Sequence, residues 1–516
     1  MNFFNIVIFL VFITYSLIAH GICTLGEFQP VSNSPFIAGI NPVGVAYSPI
    51  VLGNLFSAVV NFNDNTVSVY SVDQETGVFT QVTGSPFSTG PLPIGIAFSP
   101  VASGNLFAAI PNNNNSTVSV YSVNQTTGVF TTVGTFGTGT LPQAIAFSPI
   151  ASGNLFAAVV NDSDNTVSVY MVNQTTGAFT QVPGSPFVTG LAPQTVAFSP
   201  VVSGNLFAAV TNNNDSTVSV YSVDQITGVF TTVGTFGTGR FPQGVAFSPV
   251  VSGNLFAAVA NGTDNTVSVY MVNQTTGSFI SAGTFSTNEV AFGVAFSPVV
   301  LGNLFAAVTN LLSDDVSVYY VVPETGLFIL VDVVATGVNP EGVAFSPLVS
   351  DNVFAAVANR SSNNVSVYNV CVSNILPLLR FNDCIAHTVT GTAQADGFNS
   401  MGTALQITGC LAYDCESNGF NHDATSIASL ESCQAAYNGA GFLVASLNSL
   451  IGNCIAFANK SVGFDVTPAT SIYYCFASQN GVNNYVNAMN IQNTDTQIDN
   501  TVSGLTGPFA GANLFM

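Results

Sequence analysis

The stretch GVAFSPVVSGNLFAAV at residues 244–259 indicates a repeat fold, because a near copy, GVAFSPVVLGNLFAAV, follows at residues 293–308. The Ser-Pro step of this phrase occurs seven times. Its prolines are Pro49, Pro100, Pro149, Pro200, Pro249, Pro298 and Pro347, and their spacings are 51, 49, 51, 49, 49 and 49 residues. A repeat of this length is typical of folds in which neighbouring units share a core.

Each repeat contains four short segments of the types GVAFSP, NLFAAV, TVSVY and TGVFTQV, separated by Gly, Asn, Asp or Pro. Segments rich in Val, Phe, Thr and Tyr between such turn residues indicate β-strands joined by hairpins. In residues 54–60 both alternating sets of side chains are small or apolar, so this strand must be covered on both faces. Seven units of this kind predict an all-β, seven-bladed β-propeller.

The two ends of the repeat region predict how the ring closes. The segment before the first repeat aligns without gaps with the end of that repeat and matches Phe28 to Phe79. The seventh repeat lacks a fourth segment of its own. We therefore expect residues 26–32 to complete the seventh blade, because this N-terminal strand leaves no open edge. The alternative is that residues 375–381 supply that strand.

The elements AFSP, AAVTN, TVSVYSVDQ-x-TG and GSPF resemble those of lactonase-like seven-bladed propellers and of the related YVTN-repeat surface propellers. The resemblance covers about residues 26–370. The shared residues are those that build strands and turns, so the resemblance implies the fold rather than an activity.

A different repeat begins after Cys371. Gly-Phe pairs start at residues 397, 419, 441 and 463, each 22 residues after the last, and are preceded in step by Cys384, Cys410, Cys433, Cys454 and Cys475. This period predicts a short right-handed parallel β-helix of about five coils at residues 371–490, and residues 374–490 resemble the pectate-lyase-like superfamily. The cysteines are interpreted as a column of small buried thiols, with metal ligands or disulfides as the alternative, and residues 491–516 as a tail or cap.

Composition restricts the compartment and the partners. Residues 1–21 resemble a secretory signal peptide, with a retained membrane anchor as the alternative, so we expect a secreted or cell-surface protein whose propeller spans residues 22–370. With 4 basic and 25 acidic residues the net charge is -21, which argues against binding to nucleic acid. We expect no membrane span after removal of the signal peptide.

Candidate site residues are sought where the innermost strands begin, because these positions surround one mouth of the central channel. The seven equivalent residues are Val43, Ile94, Gln143, Gln194, Gln243, Phe292 and Glu341. The three glutamines and Glu341, with Arg240 nearby, are predicted to bind a polar ligand such as a sugar. The alternative is that they only solvate the channel.

The sequence shows no set of residues typical of a catalytic site. Histidine occurs only at positions 20, 387 and 422, so the propeller has none. The Asn/Asp-rich stretches at residues 61–65 and 161–165 lack the spacing of a calcium loop and are interpreted as tight hairpins. No metal and no cofactor is expected.

These observations favour a non-enzymatic binding or structural protein that recognises glycans or surface proteins through the propeller faces. The alternative is a lactone hydrolase with its site at the channel mouth.

Overall fold

The computed structural model describes residues 25–372 without a break and, between residues 379 and 492, short strands separated by gaps. One compact unit is Thr24–Ser373. The predicted signal peptide at residues 1–21 and residues 493–516 of the predicted tail lie outside the described residues, and the domain boundaries stay predictions. Among the described residues, no helix is long and apolar enough to cross a membrane.

The first unit is a ring of seven antiparallel sheets, each of which contributes one blade. Strands β1 (Phe28–Pro30) and β2 (Phe36–Ile37) precede blade 1, which contains β3 (Pro42–Tyr47), β4 (Phe56–Asn61), β5 (Thr66–Val72), β6 (Phe79–Gln81) and β7 (Phe87–Ser88). Blade 2 contains β8 (Ala97–Phe98), β9 (Phe107–Asn112), β10 (Thr117–Val123) and β11 (Phe130–Gly137), and blade 3 contains β12 (Pro142–Phe147), β13 (Phe156–Asn161), β14 (Thr166–Val172), β15 (Phe179–Gln181) and β16 (Phe187–Val188).

The remaining blades repeat the same order. Blade 4 contains β17 (Pro193–Phe198), β18 (Phe207–Asn212), β19 (Thr217–Val223) and β20 (Phe230–Gly237), and blade 5 contains β21 (Pro242–Phe247), β22 (Phe256–Asn261), β23 (Thr266–Val272) and β24 (Phe279–Ser286). Blade 6 contains β25 (Ala291–Phe296), β26 (Phe305–Asn310), β27 (Asp315–Val321) and β28 (Phe328–Ala335), and blade 7 contains β29 (Pro340–Phe345), β30 (Val353–Asn359) and β31 (Asn364–Val370).

The core lies between the blades. Seven apolar clusters occur, one at each contact between neighbouring blades, and the cluster between blades 7 and 1 closes the ring. Every residue of the second strand β4 is buried, as in the equivalent strands of the other blades. A strand that is apolar on both faces is stable only between two neighbours, and this confirms the predicted seven-bladed propeller.

The seventh blade is completed by the N-terminal strand. Phe28 of β1 pairs with Val370 of β31 in an antiparallel register. The Phe28 side chain is 3% exposed, and its ring centroid lies 5.9 Å from that of Phe345 and 5.5 Å from that of Tyr368. The closure predicted for residues 26–32 is therefore observed. The alternative strand is wrong, since Leu379–Asn382 pairs elsewhere.

A second set of strands follows the propeller. They are β32 (Leu379–Asn382), β33 (Ile385–His387), β34 (Phe398–Met401), β35 (Leu405–Thr408), β36 (Leu411–Tyr413), β37 (Asn418–Asp423), β38 (Ala428–Glu431), β39 (Gln434–Ala436), β40 (Ala440–Val444), β41 (Leu450–Gly452), β42 (Ile455–Phe457), β43 (Val462–Val466), β44 (Ser471–Tyr473), β45 (Phe476–Ser478), β46 (Asn483–Val486) and β47 (Asn490–Gln492). The described strands pair in parallel, every third strand joining the same sheet. Cys433 is buried, and the other four cysteines of the predicted column lie outside the described residues.

A buried asparagine ends each second strand, and in blades 1 to 5 its side chain connects two loops at one end of the ring. Asn61 shows the arrangement: its Oδ1 accepts a hydrogen bond from the Gly39 amide at 2.9 Å, and its Nδ2 donates to Ser68 Oγ at 3.0 Å. Asn65, in the hairpin that follows, has a φ of 56°. Asparagine tolerates this left-handed geometry, which agrees with tight hairpins in the Asn/Asp-rich stretches.

Candidate functional site

The channel mouth is formed where the first strand of each blade begins. The first strands of neighbouring blades contact one another around the ring, so they surround its axis. In six of the seven blades the pairing slips directly after the first residue of this strand, at Val43, Gln143, Gln194, Gln243, Phe292 and Glu341. Such a bulge turns a side chain out of the regular alternation. The predicted ring residues are therefore the ones that leave the sheet.

A second ring of residues stands beside the first and was missed by the sequence analysis. Each member directly follows the buried asparagine that ends the second strand. The members are Phe62, Asn113, Asp162, Asn213, Gly262, Leu311 and Arg360. Asp162 and Arg360 each contact the first-ring residue of their own blade, 19 positions earlier in sequence. That constant offset between two variable positions of the repeat was the available signal.

Glu341 and Arg360 form an ion pair at the mouth. Arg360 Nη1 donates to Glu341 Oε1 at 2.8 Å, and the side chains are 44% and 7% exposed respectively. The guanidinium also lies over the Phe62 ring, 5.6 Å from its centroid. Burial raises the pKa of the Glu341 carboxyl above its usual value, although the charge and the hydrogen bond of Arg360 oppose the shift. Glu341 is thus a proton acceptor that its surroundings make more basic.

A threonine of the neighbouring blade holds the main chain of Glu341. Thr309 Oγ1 donates to the Glu341 carbonyl at 2.8 Å and accepts from the Gly293 amide at 2.8 Å. A Cβ on Gly293 would stand 2.5 Å from that same carbonyl oxygen, so glycine is needed for the close approach. The bulge that carries Glu341 is therefore fixed from the side by blade 6.

Asp162 and Gln143 form a second polar pair, on blade 3. Gln143 Nε2 donates to Asp162 Oδ2 at 3.3 Å. Burial raises the pKa of Asp162, and the hydrogen bond from Gln143 opposes the shift. Two carboxyl groups with raised pKa values thus belong to the mouth.

The other predicted site residues, Gln194, Gln243 and Arg240, do not hydrogen-bond to either of these pairs. Gln194 Nε2 donates to the Ala192 carbonyl at 3.3 Å, while the carbonyl of Gln243 accepts from Thr211 Oγ1 at 2.8 Å. Arg240 is 68% exposed and its Nε donates to Asp264 Oδ1 at 2.6 Å. The structure therefore brings Gln143 and Glu341 to polar partners at the mouth and leaves Arg240 paired on the rim. A role of these five residues in ligand binding stays a prediction.

The arrangement at the mouth is suited to acid–base chemistry. A buried carboxylate can accept a proton from water, and a guanidinium beside it can stabilise a developing oxyanion. Across the part of the chain that the structure describes, no group of three or more His, Cys, Asp or Glu side chains is placed to hold a metal ion.

A comparison with known proteins identifies a family of enzymes with the same fold. The profile of the lactonase family, a seven-bladed β-propeller, matches this chain. The match consists of two overlapping segments, residues 56–198 and 138–296. No curated protein matches it.

The similar solved structures include enzymes and other propellers. A proposed 6-phosphogluconolactonase from Bacteroides fragilis has 17% identity and a TM-score of 0.47, with 58% of this chain and 86% of that chain covered. The periplasmic gluconolactonase of Pseudomonas aeruginosa has 20% identity and a TM-score of 0.46, with coverages of 58% and 86%. The hydrazine synthase of Kuenenia stuttgartiensis has 17% identity and a TM-score of 0.47, with coverages of 70% and 100%. Similarity at this level says nothing of activity.

The family match corrects the predicted function. The sequence analysis favoured a non-enzymatic binding or structural protein, and this prediction is wrong, because the matching family favours the lactone hydrolase given as the alternative. The absence of histidine from the propeller sequence does not exclude hydrolysis. Ester hydrolysis needs one base and one group that stabilises the oxyanion, and a carboxylate with an arginine provides both.

Proposed function

We propose that this protein hydrolyses lactones at the channel mouth. The observation that carries the proposal is the Glu341–Arg360 pair, in which a buried carboxyl with a raised pKa contacts a guanidinium that remains partly open to solvent. An ion pair contributes little to stability when one of its charges is buried, because the cost of removing that charge from water offsets the attraction. Stability alone therefore does not explain why Glu341 is buried. The lactonase family match supports the same reaction class.

The proposed reaction begins with water beside Glu341. The carboxylate takes a proton from the water as the oxygen attacks the lactone carbonyl carbon. The carbonyl oxygen becomes an oxyanion next to the Arg360 guanidinium, which stabilises its charge. Collapse of this intermediate breaks the ring C–O bond, and the proton passes from Glu341 to the departing alkoxide, giving a hydroxy acid.

The charge of the mouth favours a neutral lactone over a phosphorylated one. Between residues 25 and 372 the chain has two basic residues, Arg240 and Arg360, and each is paired with a carboxylate. A phosphate group would need an unpaired cation to replace its hydration. The amides of Gln143, Gln194 and Gln243 can instead hydrogen-bond the oxygens of an uncharged ring.

The experiment is an indicator assay of acid release from γ-butyrolactone, δ-valerolactone and glucono-δ-lactone. Loss of the general base should lower kcat/KM about 100-fold or more in Glu341→Gln. The matched control is Asp164→Asn, because Asp164 lies on the same face and only accepts a hydrogen bond from the Thr140 amide, at 2.7 Å. Wild-type activity in Glu341→Gln, or no opening of any lactone by the wild type, would overturn the proposal.

We further propose that residues 371–490 form a right-handed parallel β-helix and that the protein is secreted. Parallel pairing of every third strand supports the first point, as in Phe420 of β37, which pairs with Phe442 of β40 at the 22-residue period. The apolar N-terminal segment supports the second. N-terminal sequencing of the protein from the culture medium tests it, with a start after residue 21 expected.

A further inference from the structure

A depression of about 520 Å³ opens between blades 5 and 6 on the same face as the channel mouth. Its walls include Phe241, Gln243, Gly262, Glu289, Val290 and Leu312. Gln243 belongs both to this depression and to the ring of the mouth, so the two are continuous. A volume of this size lies in the range that proteins use for small molecules, roughly 300 to 1,000 Å³.

The depression exists because blade 5 has glycine in the second ring. The other six blades have a side chain at that position. A Cβ on Gly262 would stand 3.4 Å from the Phe241 carbonyl oxygen and 3.6 Å from Gln243 Cγ, which is ordinary contact. Steric necessity therefore does not explain the glycine. The missing side chain leaves room beside the mouth.

The walls of this depression expose apolar groups to solvent. Phe241 is 49% exposed and Leu312 is 59% exposed. Phe241 and Val290 have φ values of 54° and 60°, and the equivalent residue has a positive φ in every blade, so this backbone conformation belongs to the repeat. The Val290 amide donates to Asn265 Oδ1 at 2.8 Å. Blade 5 differs in the side chain that it places at this position, because the exposed Phe241 ring offers an apolar surface to a ligand.

The charge of the depression excludes an anionic occupant. Among the described residues that line it, Glu289 is charged and none is basic. The nearby Arg240 is occupied by Asp264. A phosphate or carboxylate entering the depression would therefore meet like charge, whereas a hydrocarbon chain would cover Phe241, Val290 and Leu312.

We infer that this depression receives a neutral, apolar substituent on the lactone ring, so that the enzyme prefers alkyl-substituted lactones to polyhydroxylated or phosphorylated ones. The inference rests on the proposed function for its reaction. Its binding part can be measured separately from catalysis.

The test fills the depression with a larger side chain at position 262. Leu311 occupies the position of Gly262 in blade 6, so Gly262→Leu introduces a side chain that the repeat already accommodates. The control is Gly137→Leu, because a Cβ on Gly137 meets nothing within 4 Å. The wild type should open γ-nonalactone with a kcat/KM about tenfold or more above that for γ-butyrolactone. Gly262→Leu should remove this difference, because it lowers kcat/KM for γ-nonalactone at least about tenfold more than for γ-butyrolactone, whereas Gly137→Leu should keep the wild-type ratio.

A second measurement separates the pocket from the chemistry. Binding of 2-pentylcyclopentanone, which has no ester bond to hydrolyse, is followed by ligand-observed NMR against cyclopentanone. Preferential binding of the pentyl compound that is lost in Gly262→Leu but kept in Gly137→Leu supports the pocket even if no lactone is opened. Equal binding of the two ketones, or a preference that survives Gly262→Leu, would overturn the inference whatever the outcome for hydrolysis.

Discussion

Removing the positive charge of Arg360 should destabilise the protein far more than removing the negative charge of Glu341. At their separation of 2.8 Å, two unit charges attract by about 1.5 kcal/mol in water and about 6 kcal/mol at an effective dielectric constant of about 20. Arg360 is 44% exposed, so solvent screens the pair and the lower part of this range applies. We expect Arg360→Met to lower the free energy of unfolding by about 2 kcal/mol near neutral pH.

The two variants differ in stability because each leaves a different charge without its partner. Arg360→Met leaves the carboxylate of Glu341, 7% exposed, without its cation. Glu341→Gln leaves a guanidinium that water already reaches, so its effect on stability should be near zero or favourable. This difference between the two variants is expected for a carboxylate whose burial lowers stability. In an ion pair with a structural role, replacement of either residue lowers the free energy of unfolding.

The effect of Arg360→Met should depend on pH. Burial raises the folded-state pKa of Glu341 above its unfolded value, and loss of Arg360 removes the influence that opposes this rise. A raised folded-state pKa contributes stability that is complete below the unfolded value of about 4.3 and is lost as pH rises through the folded-state pKa. The deficit of Arg360→Met should therefore shrink toward about pH 4 and grow toward neutral pH.

Urea unfolding of wild type, Arg360→Met, Glu341→Gln and the double variant across this pH range measures the effect. Arg240→Met is the matched control, because the Arg240–Asp264 pair is exposed and its loss should change the free energy of unfolding little. The double variant should recover most of the stability of the wild type. Equal losses in the two single variants, or a loss in Arg360→Met that does not change with pH, would refute the reasoning.

Three further predictions concern the closure, the turns and the pH dependence of activity. Phe28→Ala should lower the free energy of unfolding by about 3 to 5 kcal/mol, as much as Phe279→Ala inside blade 5, if the N-terminal strand completes the ring; a much smaller loss in urea unfolding would mean an open seam. Gly77→Ala should cost more stability than Gly53→Ala, because both have positive φ but a Cβ on Gly77 would stand 2.5 Å from a ring carbon whereas nothing lies within 4 Å of Gly53; equal thermal shifts would contradict this. The acid limb of kcat/KM should follow Glu341 and move to higher pH when its guanidinium partner is replaced, and a fixed limb would assign the base elsewhere.

The blades could be predicted from sequence because their physics is local and repeated seven times. Strands such as NLFAAVV, apolar on both faces, leave no stable alternative to burial between neighbours. The alignment of Phe28 with Phe79 predicted the closure for the same reason. The asparagine that ends each second strand, by contrast, gave no sign in the sequence that it connects two loops in blades 1 to 5.

The site was harder to predict because it depends on contacts between positions that are related only by a constant offset within the repeat. Glu341 could be found as a variable position in a ring. Its partner Arg360 lies 19 residues later, on a different strand, and the raised pKa depends on a burial that only the assembled ring creates. Arg240, closer in sequence to the glutamines, was the natural choice but is occupied by Asp264 on the rim.

The repeat itself separates the residues that hold the ring together from those that the proposed hydrolysis would use. The asparagine that ends the second strand is the same in all seven blades and fully buried in each, and in each its Nδ2 donates to a serine of the third strand. The residue immediately after it differs in almost every blade, from glycine to arginine, although the backbone around it is the same. Folding cannot require six different residue types at one position of the repeat. At this position the ring therefore departs from its own symmetry. The result is a cation on blade 7 and an open depression beside blade 5, both around a single channel.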